Sequence, residues 1–322
     1  MKHSPCLRQQ GIALLSTLLA LTLMTLLISE LTFSFRAQLR RTESLQQLDQ
    51  ARWYATSTED LARKVLKQDF KDNSEVTHND QNWAKQNVVF PVTNGKIAGK
   101  IRDMQGCFNL NALAKPVEEG KPAVELDAFR QLLEYLNIDD TRTIANATRN
   151  WVTERTATGA GANDADYLAL PVPYLASHTL MRDASEWRAV SGVTPAIARK
   201  VLPYLCAIPI SELQLNVNTI PADQPELLAA LYDQNLPVEQ ARSILENRPK
   251  KGWSDVQDFT SQSLLANFSN TSASKMMAVV SYYFEVDTLA QFNDAEMRLR
   301  SLLIRNKEDE LSVIRRKFGG VS

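Results

Sequence analysis

The chain has 322 residues, a formal net charge of −1, 44% hydrophobic residues and 23% charged residues. This length predicts about two domains, and this composition excludes a disordered chain because enough apolar surface is available to form a core. The near-neutral charge excludes a general attraction to nucleic acid or to acidic lipid.

An apolar run of 18 residues without any charge lies close to the N-terminus, at residues 12–29. As a helix this run measures about 27 Å, near the lower limit for crossing the hydrocarbon core of a bilayer. A secretory signal would have its small cleavage residue after the run, whereas Gly11 lies before it. An ordinary signal anchor that is never cleaved explains this segment equally well.

The apolar run continues into residues 31–70, which contain neither proline nor glycine. Leu45, Leu48 and Leu61 recur there at helical spacings, so we expect one amphipathic helix that extends the membrane segment. Together, residues 12–70 predict a rod of roughly 85–90 Å. A membrane-proximal coiled coil is the alternative, but heptads are not sustained.

Two strands are predicted next, around an Asn94-Gly95 pair that is a strong hairpin signal. From residue 112 the apolar period changes from about 2 to about 3.6, which predicts a block of helices. Thr141 is the expected N-cap of one helix, and Thr194 followed by Pro195 is the expected start of another. The two strands are predicted at residues 87–92 and 96–104, and further helices at residues 226–231, 238–246 and 272–283.

Strand patterns return at the C-terminal end, at residues 282–288, 295–304 and 311–318. Five arginines are expected to face solvent on one side of a sheet: Arg298, Arg300, Arg305, Arg315 and Arg316. Strand-rich segments therefore lie on both sides of the helical block. The simplest fold class is an α+β domain interrupted by a helical insertion.

The residues around Gly11, with the sequence QQGIALLS, resemble the type IV prepilin signal. This resemblance implies that the prepilin peptidase cuts between Gly11 and Ile12, that the amine of Ile12 is methylated, and that the apolar helix is retained. Most members of the family have a glutamate at the fifth mature position, where this chain has Ser16. Loss of that glutamate marks the minor pseudopilin K of type II secretion.

Three further strings resemble the same family: FNLN at residues 108–111, SEWRAVSGVTPAIARKVLPYL at 185–205 and LNVNT at 215–219. Their order and spacing make the match specific. The resemblance implies a pilin-like fold, in which the long N-terminal helix packs on a small antiparallel sheet, with a large all-helical domain inserted. That domain would contain helix-hairpin-helix or SAM-like units.

The resemblance divides the chain into five parts. They are a leader (residues 1–11), a transmembrane helix (12–33), the pseudopilin helix with the first strands (34–111), the inserted helical domain (112–280) and the C-terminal strands (281–322). A minor pseudopilin K caps the tip of the periplasmic pseudopilus with the I and J minor pseudopilins and supports protein export across the outer membrane. The prepilin peptidase and the inner-membrane assembly platform are further implied partners. The chain would cross the inner membrane once, with its C-terminal domain in the periplasm.

Residues 190–194 (VSGVT) resemble the turn of a helix-hairpin-helix module, so the alternative function is a membrane-anchored protein that binds or takes up DNA. In DNA-binding modules, backbone N–H groups of that turn contact a phosphate, assisted by basic residues. Arg199 and Lys200 are near, but so are Asp183 and Glu186. Such hairpins also serve as packing units, and the neutral charge leads us to expect no nucleic-acid partner.

The family's insertion carries acidic loops that bind calcium, typically Trp-x-Asp-x-Asp and then Gly-x-Glu-Asp before a tyrosine. Thr153 and Arg155 stand where the family has aspartates. Calcium needs six to eight oxygen ligands, and Asn163, Asp164 and Asp166 are the candidates that remain. The sequence requires no cofactor and leaves calcium as the one candidate, with an ordinary solvated loop as the alternative.

Two cysteines remain once Cys6 is assigned to the leader. In an oxidising periplasm, Cys107 and Cys206 form a disulfide or stay as two separate buried thiols, and the sequence does not supply the geometry that decides. The paired asparagines of FNLN and LNVNT are expected to satisfy nearby backbone groups.

Catalytic motifs are absent from the sequence. It contains neither a zinc-protease pattern nor a Gly-x-Ser-x-Gly string nor a phosphate-binding loop, and one of its three histidines lies in the leader. We therefore predict that the chain is not an enzyme.

Overall fold

The computed structural model describes residues 10–85, 88–117, 122–154, 164–232, 236–268, 272–306 and 309–319. Its first element, α1 (Gln10–Asp72), is one uninterrupted helix of 63 residues, about 95 Å long. Leucine is the most frequent residue of α1, and with alanine, glutamine and arginine, which are also strong helix formers, it makes up 31 of the 63 residues. The predicted N-terminal rod is confirmed.

The remaining elements follow in chain order. They are β1 (Val88–Val92), β2 (Gly95–Asp103), β3 (Phe108–Asn109), α2 (Val124–Tyr135), α3 (Thr141–Val152), α4 (Asp164–Leu168), α5 (Pro195–Val201), β4 (Leu205–Cys206), β5 (Leu215–Asn216), α6 (Glu226–Ala229), α7 (Val238–Glu246), α8 (Val256–Thr260), β6 (Met277–Ala278), β7 (Tyr283–Phe292), β8 (Ala295–Arg305) and β9 (Leu311–Phe318). Short 3-10 helices occur at Asn82–Ala84, Leu110–Ala114, Ala184–Ala189, Leu202–Tyr204, Ala230–Tyr232, Ser263–Leu265 and Ala273–Met276.

One antiparallel sheet contains β1, β2, β7, β8 and β9, in that spatial order. Asn94 at φ 57° turns the β1–β2 hairpin and Asn293 at φ 49° turns the β7–β8 hairpin, and asparagine tolerates this left-handed region well. The chain leaves the sheet after β2 and returns at β7, which is the neighbour of β2. The insertion is therefore bounded by two adjacent strands whose ends lie close together.

The second half of α1 packs on one face of this sheet, which we call the inner face. Leu66 and Phe70 share a buried apolar cluster with Phe284 and Val286 of β7, and the rings of Phe70 and Phe284 lie 5.5 Å apart. Gly99 permits the close approach, since a Cβ there would lie 3.1 Å from Cγ2 of Thr58. Amphipathic packing thus stabilises the part of α1 that lies beyond the apolar run.

The insertion has its own apolar core, which includes Phe129, Leu132, Trp187 and Leu228. The helical insertion is confirmed, and two short parallel strand pairs add to it. β3 pairs with β4, and β5 pairs with β6, so each pair joins segments far apart in sequence. These pairs hold together a domain whose helices are mostly short.

Two local predictions are wrong. Asp140, at φ 52°, is the N-cap of α3, and Thr141 is its first helical residue. The helix predicted at residues 272–283 is replaced by a 3-10 turn, the strand β6 and the start of β7. Met277 and Ala278 pair with Leu215 and Asn216, a long-range contact that a local apolar period does not reveal.

The prediction that five arginines share a solvent-facing side of the sheet is also wrong. Arg305 is buried on the inner face, where its guanidinium lies 4.1 Å from the ring centre of Phe70. It also donates hydrogen bonds to Asp309 and to the carbonyl of Ser74. Strand alternation explains the difference, because residue 305 points to the side opposite residues 298 and 300.

Candidate functional site

The N-terminal half of α1 is the candidate membrane anchor. Residues 12–46 are exposed on all sides of the helix, although most of those up to residue 35 are apolar. An 18-residue window of α1 reaches a mean hydropathy of 2.3. By length and composition this helix is suited to crossing a bilayer.

The predicted processing site lies in the first turns of α1. Gly11 and Ile12 are helical, and residues 1–9 of the leader lie outside the described part of the chain. The hydroxyl of Ser16 donates to the carbonyl oxygen of Ala13 at 2.9 Å, and Thr17 makes the same contact with Leu14. Ser16 therefore contributes an internally satisfied, uncharged group at the position where the prepilin resemblance leads us to expect a carboxylate.

Glu59 fixes α1 to the sheet and was missed by the sequence analysis. Its side chain is 1% exposed. Arg316 donates to both carboxylate oxygens, at 2.8 and 2.9 Å, and Ser301 donates to one of them. Burial acts to raise the pKa of Glu59, but the hydrogen bonds from Arg316 and Ser301, together with the charge of Arg316, outweigh it and lower the pKa below its ordinary value. The available signal was its helical spacing with Ala55, Ala62 and Leu66, which places Glu59 on the apolar side of α1.

Asp103, at the end of β2, holds the junction between the sheet and the insertion. One carboxylate oxygen accepts hydrogen bonds from Thr219 at 2.6 Å and Ser281 at 2.5 Å, and the other accepts from the backbone N–H of Gln105 at 2.8 Å. Burial raises the pKa of Asp103, although the hydrogen bonds from Ser281 and Thr219 act in the opposite direction. One buried acid therefore joins both ends of the insertion and its middle.

The asparagines of the FNLN and LNVNT strings bind backbone groups, as expected, but across long distances in the sequence. Asn111 donates to the carbonyls of Ile208 and Met181, and Asn218 both donates to and accepts from the backbone of Trp253. Sequence proximity did not reveal these partners. The side chains act as internal braces of the insertion.

Cys107 and Cys206 are joined in a disulfide, with their Cα atoms 5.8 Å apart. Both are buried at the junction, in a cluster with Tyr283 and Leu302 of the sheet. The β3–β4 pair brings the two cysteines together, since Phe108 pairs with Leu205 and Asn109 with Cys206. The bond closes a loop with a sequence separation of 99 residues.

Of the predicted calcium ligands Asn163, Asp164 and Asp166, the first lies outside the described residues, as does Arg155. Asp164 contacts Nε2 of His178 at 2.9 Å, and the hydroxyl of Thr153 donates to the carbonyl of Arg149. No group of three His, Cys, Asp or Glu side chains that would hold a metal is found within the described ranges. Calcium binding stays a prediction that these described contacts do not favour.

The hairpin turn at residues 190–194 contains Gly192 at φ 84°, and Thr194 caps α5 by accepting from the N–H of Ile197. A 3-10 helix precedes this turn, and Asp183 with Glu186 forms its capping box. In the turn at residues 248–252, which follows α7, Arg248 donates to the carbonyls of Asn218 and Ile220, and burial lowers its pKa to about 10. The guanidinium of Arg248 therefore binds backbone carbonyls inside the protein and is not available to contact a phosphate.

Family models described as "Type II secretion system (T2SS), protein K" match residues 106–210 and 215–281. The type II secretion system protein K of Aeromonas hydrophila is 39% identical, over 98% of this chain and 98% of that protein. The protein K of Pectobacterium carotovorum is 33% identical over 97% of each chain. This chain belongs to the protein K family of the type II secretion system. Protein K is a structural pseudopilin rather than a member of an enzyme family, and the comparisons give no support to the DNA-binding alternative.

A solved structure supports the protein K fold. A chain in the crystal structure of the GspK-GspI-GspJ complex from enterotoxigenic Escherichia coli matches with a TM-score of 0.80 and 34% identity, covering 87% of this chain and 100% of that chain. The outer limits of the two family models, residues 106 and 281, coincide with the junction around Asp103. The buried acid and the disulfide therefore lie at the boundary of the insertion that the protein K family shares.

Proposed function

We propose that this protein K caps the tip of a periplasmic pseudopilus together with the I and J minor pseudopilins. The observation that carries this proposal is the neutral Ser16, whose hydroxyl is bonded to its own helix. A subunit at the tip needs no carboxylate to pair with the N-terminal amine of a preceding subunit. The insertion adds bulk to the head, which would oppose the stacking of a further subunit on top.

The exposed side of α1 supports packing against partner helices. Beyond the apolar run, Leu45 and Trp53 remain exposed, Trp53 by 69%. At Trp53 the opposite side of the helix is covered by the sheet, where Ala55 packs on Ile97 and Ala290. Apolar side chains left on one side of a helix are typical of an interaction surface. We propose that this side of α1 contacts the helices of neighbouring pseudopilins.

Mixing soluble heads tests the proposal. Residues 45–322 form a suitable head because the preceding part of α1 is exposed and its removal costs little packing. We expect this head to elute with the I and J heads as one ternary peak in size-exclusion chromatography. Three separate peaks at micromolar concentrations would contradict a tip complex.

Processing and location are part of the proposal. The prepilin peptidase would cut after Gly11 and methylate Ile12, and the assembly platform of the inner membrane would then receive the subunit. A single membrane anchor with a periplasmic head agrees with the disulfide between Cys107 and Cys206, since such bonds persist in oxidising compartments. Mass spectrometry of the N-terminal peptide from the native host should show a mature chain beginning with methylated Ile12.

We propose that this protein K performs no chemistry and requires no cofactor. The buried carboxylates among the described residues are all bonded to structural partners; they are Glu59, Asp69, Asp103 and Glu125. Calcium in the loop containing Asn163, Asp164 and Asp166 remains the one candidate ion. Calorimetric titration of the soluble head with calcium decides it, and an Asp166→Asn variant identifies the loop if heat is observed.

A further inference from the structure

The face of the sheet opposite α1 carries an excess of positive charge, and we call it the cationic sheet face. Its cations lie on three strands: Lys96, Lys100 and Arg102 on β2, Arg298 and Arg300 on β8, and Arg315 and Lys317 on β9. Its carboxylates are Glu285 and Asp287 on β7 and Glu296 on β8. Seven cations therefore share the face with three acids.

The strand register places these charges in rows across the sheet. Lys100, Asp287, Arg300 and Lys317 form one row of directly paired positions. Arg102, Glu285, Leu302 and Arg315 form the neighbouring row. In the first row Asp287 lies between cations on β2 and β8; in the second, Glu285 has Arg102 beside it on β2, and Arg315 follows on β9 beyond Leu302. The positive charge therefore runs as two bands, one along β2 and one along β8 and β9, on either side of β7.

The few acids do not neutralise the cations. Both oxygens of Asp287 accept from Arg298, at 2.6 and 2.9 Å, which leaves Lys100 at 3.9 Å from this carboxylate. Nε of Arg300 has no hydrogen-bond partner within the described part of the chain. Asp183 of the insertion lies 3.3 Å from Lys317 and removes one charge from the excess. About three positive charges remain on one face of a chain whose net charge is −1.

The location of the face excludes the anionic inner membrane as its partner. About 30 residues of α1 separate Ser29, at the end of the apolar run, from Glu59, which contacts the sheet; this is about 45 Å of helix. Charges are screened over about 8 Å at physiological ionic strength. A continuous phosphate backbone is also a poor match, because it would meet the carboxylates of β7 between the two cationic bands.

We propose that the cationic sheet face is a docking surface for a folded protein with an acidic surface. Strands lie about 4.8 Å apart, so the bands on β2 and β8 are separated by about 10 Å, a spacing that carboxylates on a folded surface can match. This inference rests on the proposed tip complex. Where α1 packs against partner helices, the opposite face of the sheet points away from them and stays available.

Charge variants on β2 test the proposal with little risk to folding, because Lys96 and Lys100 are both exposed. The test pair is Lys96→Glu with Lys100→Glu, and Lys96→Gln with Lys100→Gln is the intermediate pair. Arg142→Glu with Arg199→Glu is the matched control, since both arginines are exposed on the insertion. Each full-length variant replaces the wild type in its host, exported protein is measured in the medium, and the soluble heads are mixed with the I and J heads.

We expect the reversed pair to lower export about tenfold, the neutral pair to lower it less, and the control pair to leave it unchanged, with ternary assembly normal throughout. Second-site mutations that restore export to the reversed pair would support docking if they replace an acidic residue in a protein other than I and J.

Normal export by the reversed pair overturns the inference, and so does loss of ternary assembly by that pair alone, which would make this face a contact within the tip. Binding of the wild-type head to phosphatidylglycerol vesicles or duplex DNA that the reversed pair abolishes would also overturn it, in favour of a lipid or nucleic-acid partner. Failure of the wild-type heads to assemble contradicts the proposed function instead.

Discussion

Reduction of the Cys107–Cys206 disulfide is expected to destabilise the head strongly. The bond closes a loop with a sequence separation of 99 residues. In the chain-entropy model, a loop of about 100 residues restricts the unfolded state by about 4.7 kcal/mol, and measured losses for native disulfides are about 2–5 kcal/mol. The bond joins the β3–β4 region beneath the sheet. A reductant breaks it without changing any other side chain, so its contribution can be measured by itself.

The assay is urea unfolding of the soluble head, followed by tryptophan fluorescence, with and without reductant. Wild-type protein should lose about 3–5 kcal/mol of unfolding free energy on reduction, which corresponds to a melting temperature lower by about 10 °C. A Cys107→Ala/Cys206→Ala variant is the control, and reductant should not change its stability. A loss below about 1 kcal/mol, with mass spectrometry showing both thiols free, would refute the loop-entropy reasoning.

Four further predictions concern single residues. Arg316→Ala should cost about 3 kcal/mol, the low end for a broken buried pair because Arg316 is itself 45% exposed, and a loss below about 1 kcal/mol would argue against the pair. The pKa of Glu59 in the folded protein lies below 4.5, so its contribution to stability should be retained above that pH and lost as the pH falls below it. Melting scans of Arg316→Ala should show a weaker loss of stability in acid. Asp103→Ala should lower the free energy of unfolding in urea by about 3 kcal/mol or more, because the buried hydroxyls of Thr219 and Ser281 lose their acceptor. Unchanged stability would contradict the role of Asp103 in holding the junction together. Gly252→Ala should cost at least about 2 kcal/mol, since residue 252 has φ 71° and a Cβ would lie 2.5 Å from Cγ of Asn218; a neutral effect would rule out that clash.

The sequence alone predicted the elements whose signals are local. The apolar run and the proline-free stretch behind it predicted α1, and the Asn94-Gly95 pair predicted the first hairpin. The family strings predicted the protein K family because they combine local motifs in a fixed order. Alternation and helical periodicity report on a single segment, so they were sufficient for most helices and strands.

The tertiary structure decided which distant segments meet. Pairing of β3 with β4 brings Cys107 to Cys206, and pairing of β5 with β6 replaces the helix predicted at residues 272–283. The paired residues are roughly sixty to a hundred positions apart in the sequence. A contact at that separation produces no periodic pattern within either segment, so the sequence does not reveal it.

Burial of charge was likewise decided by the fold. Glu59 and Asp103 look like ordinary surface acids in the sequence, and Arg305 looks like one more exposed cation on a strand. Each is buried because a partner from another element supplies its hydrogen bonds: Arg316 for Glu59, Ser281 for Asp103, and the carbonyl of Ser74 for Arg305. The sequence determines the elements through local periodicity, whereas the sites at their junctions form only when a buried charge meets its partner in the folded chain.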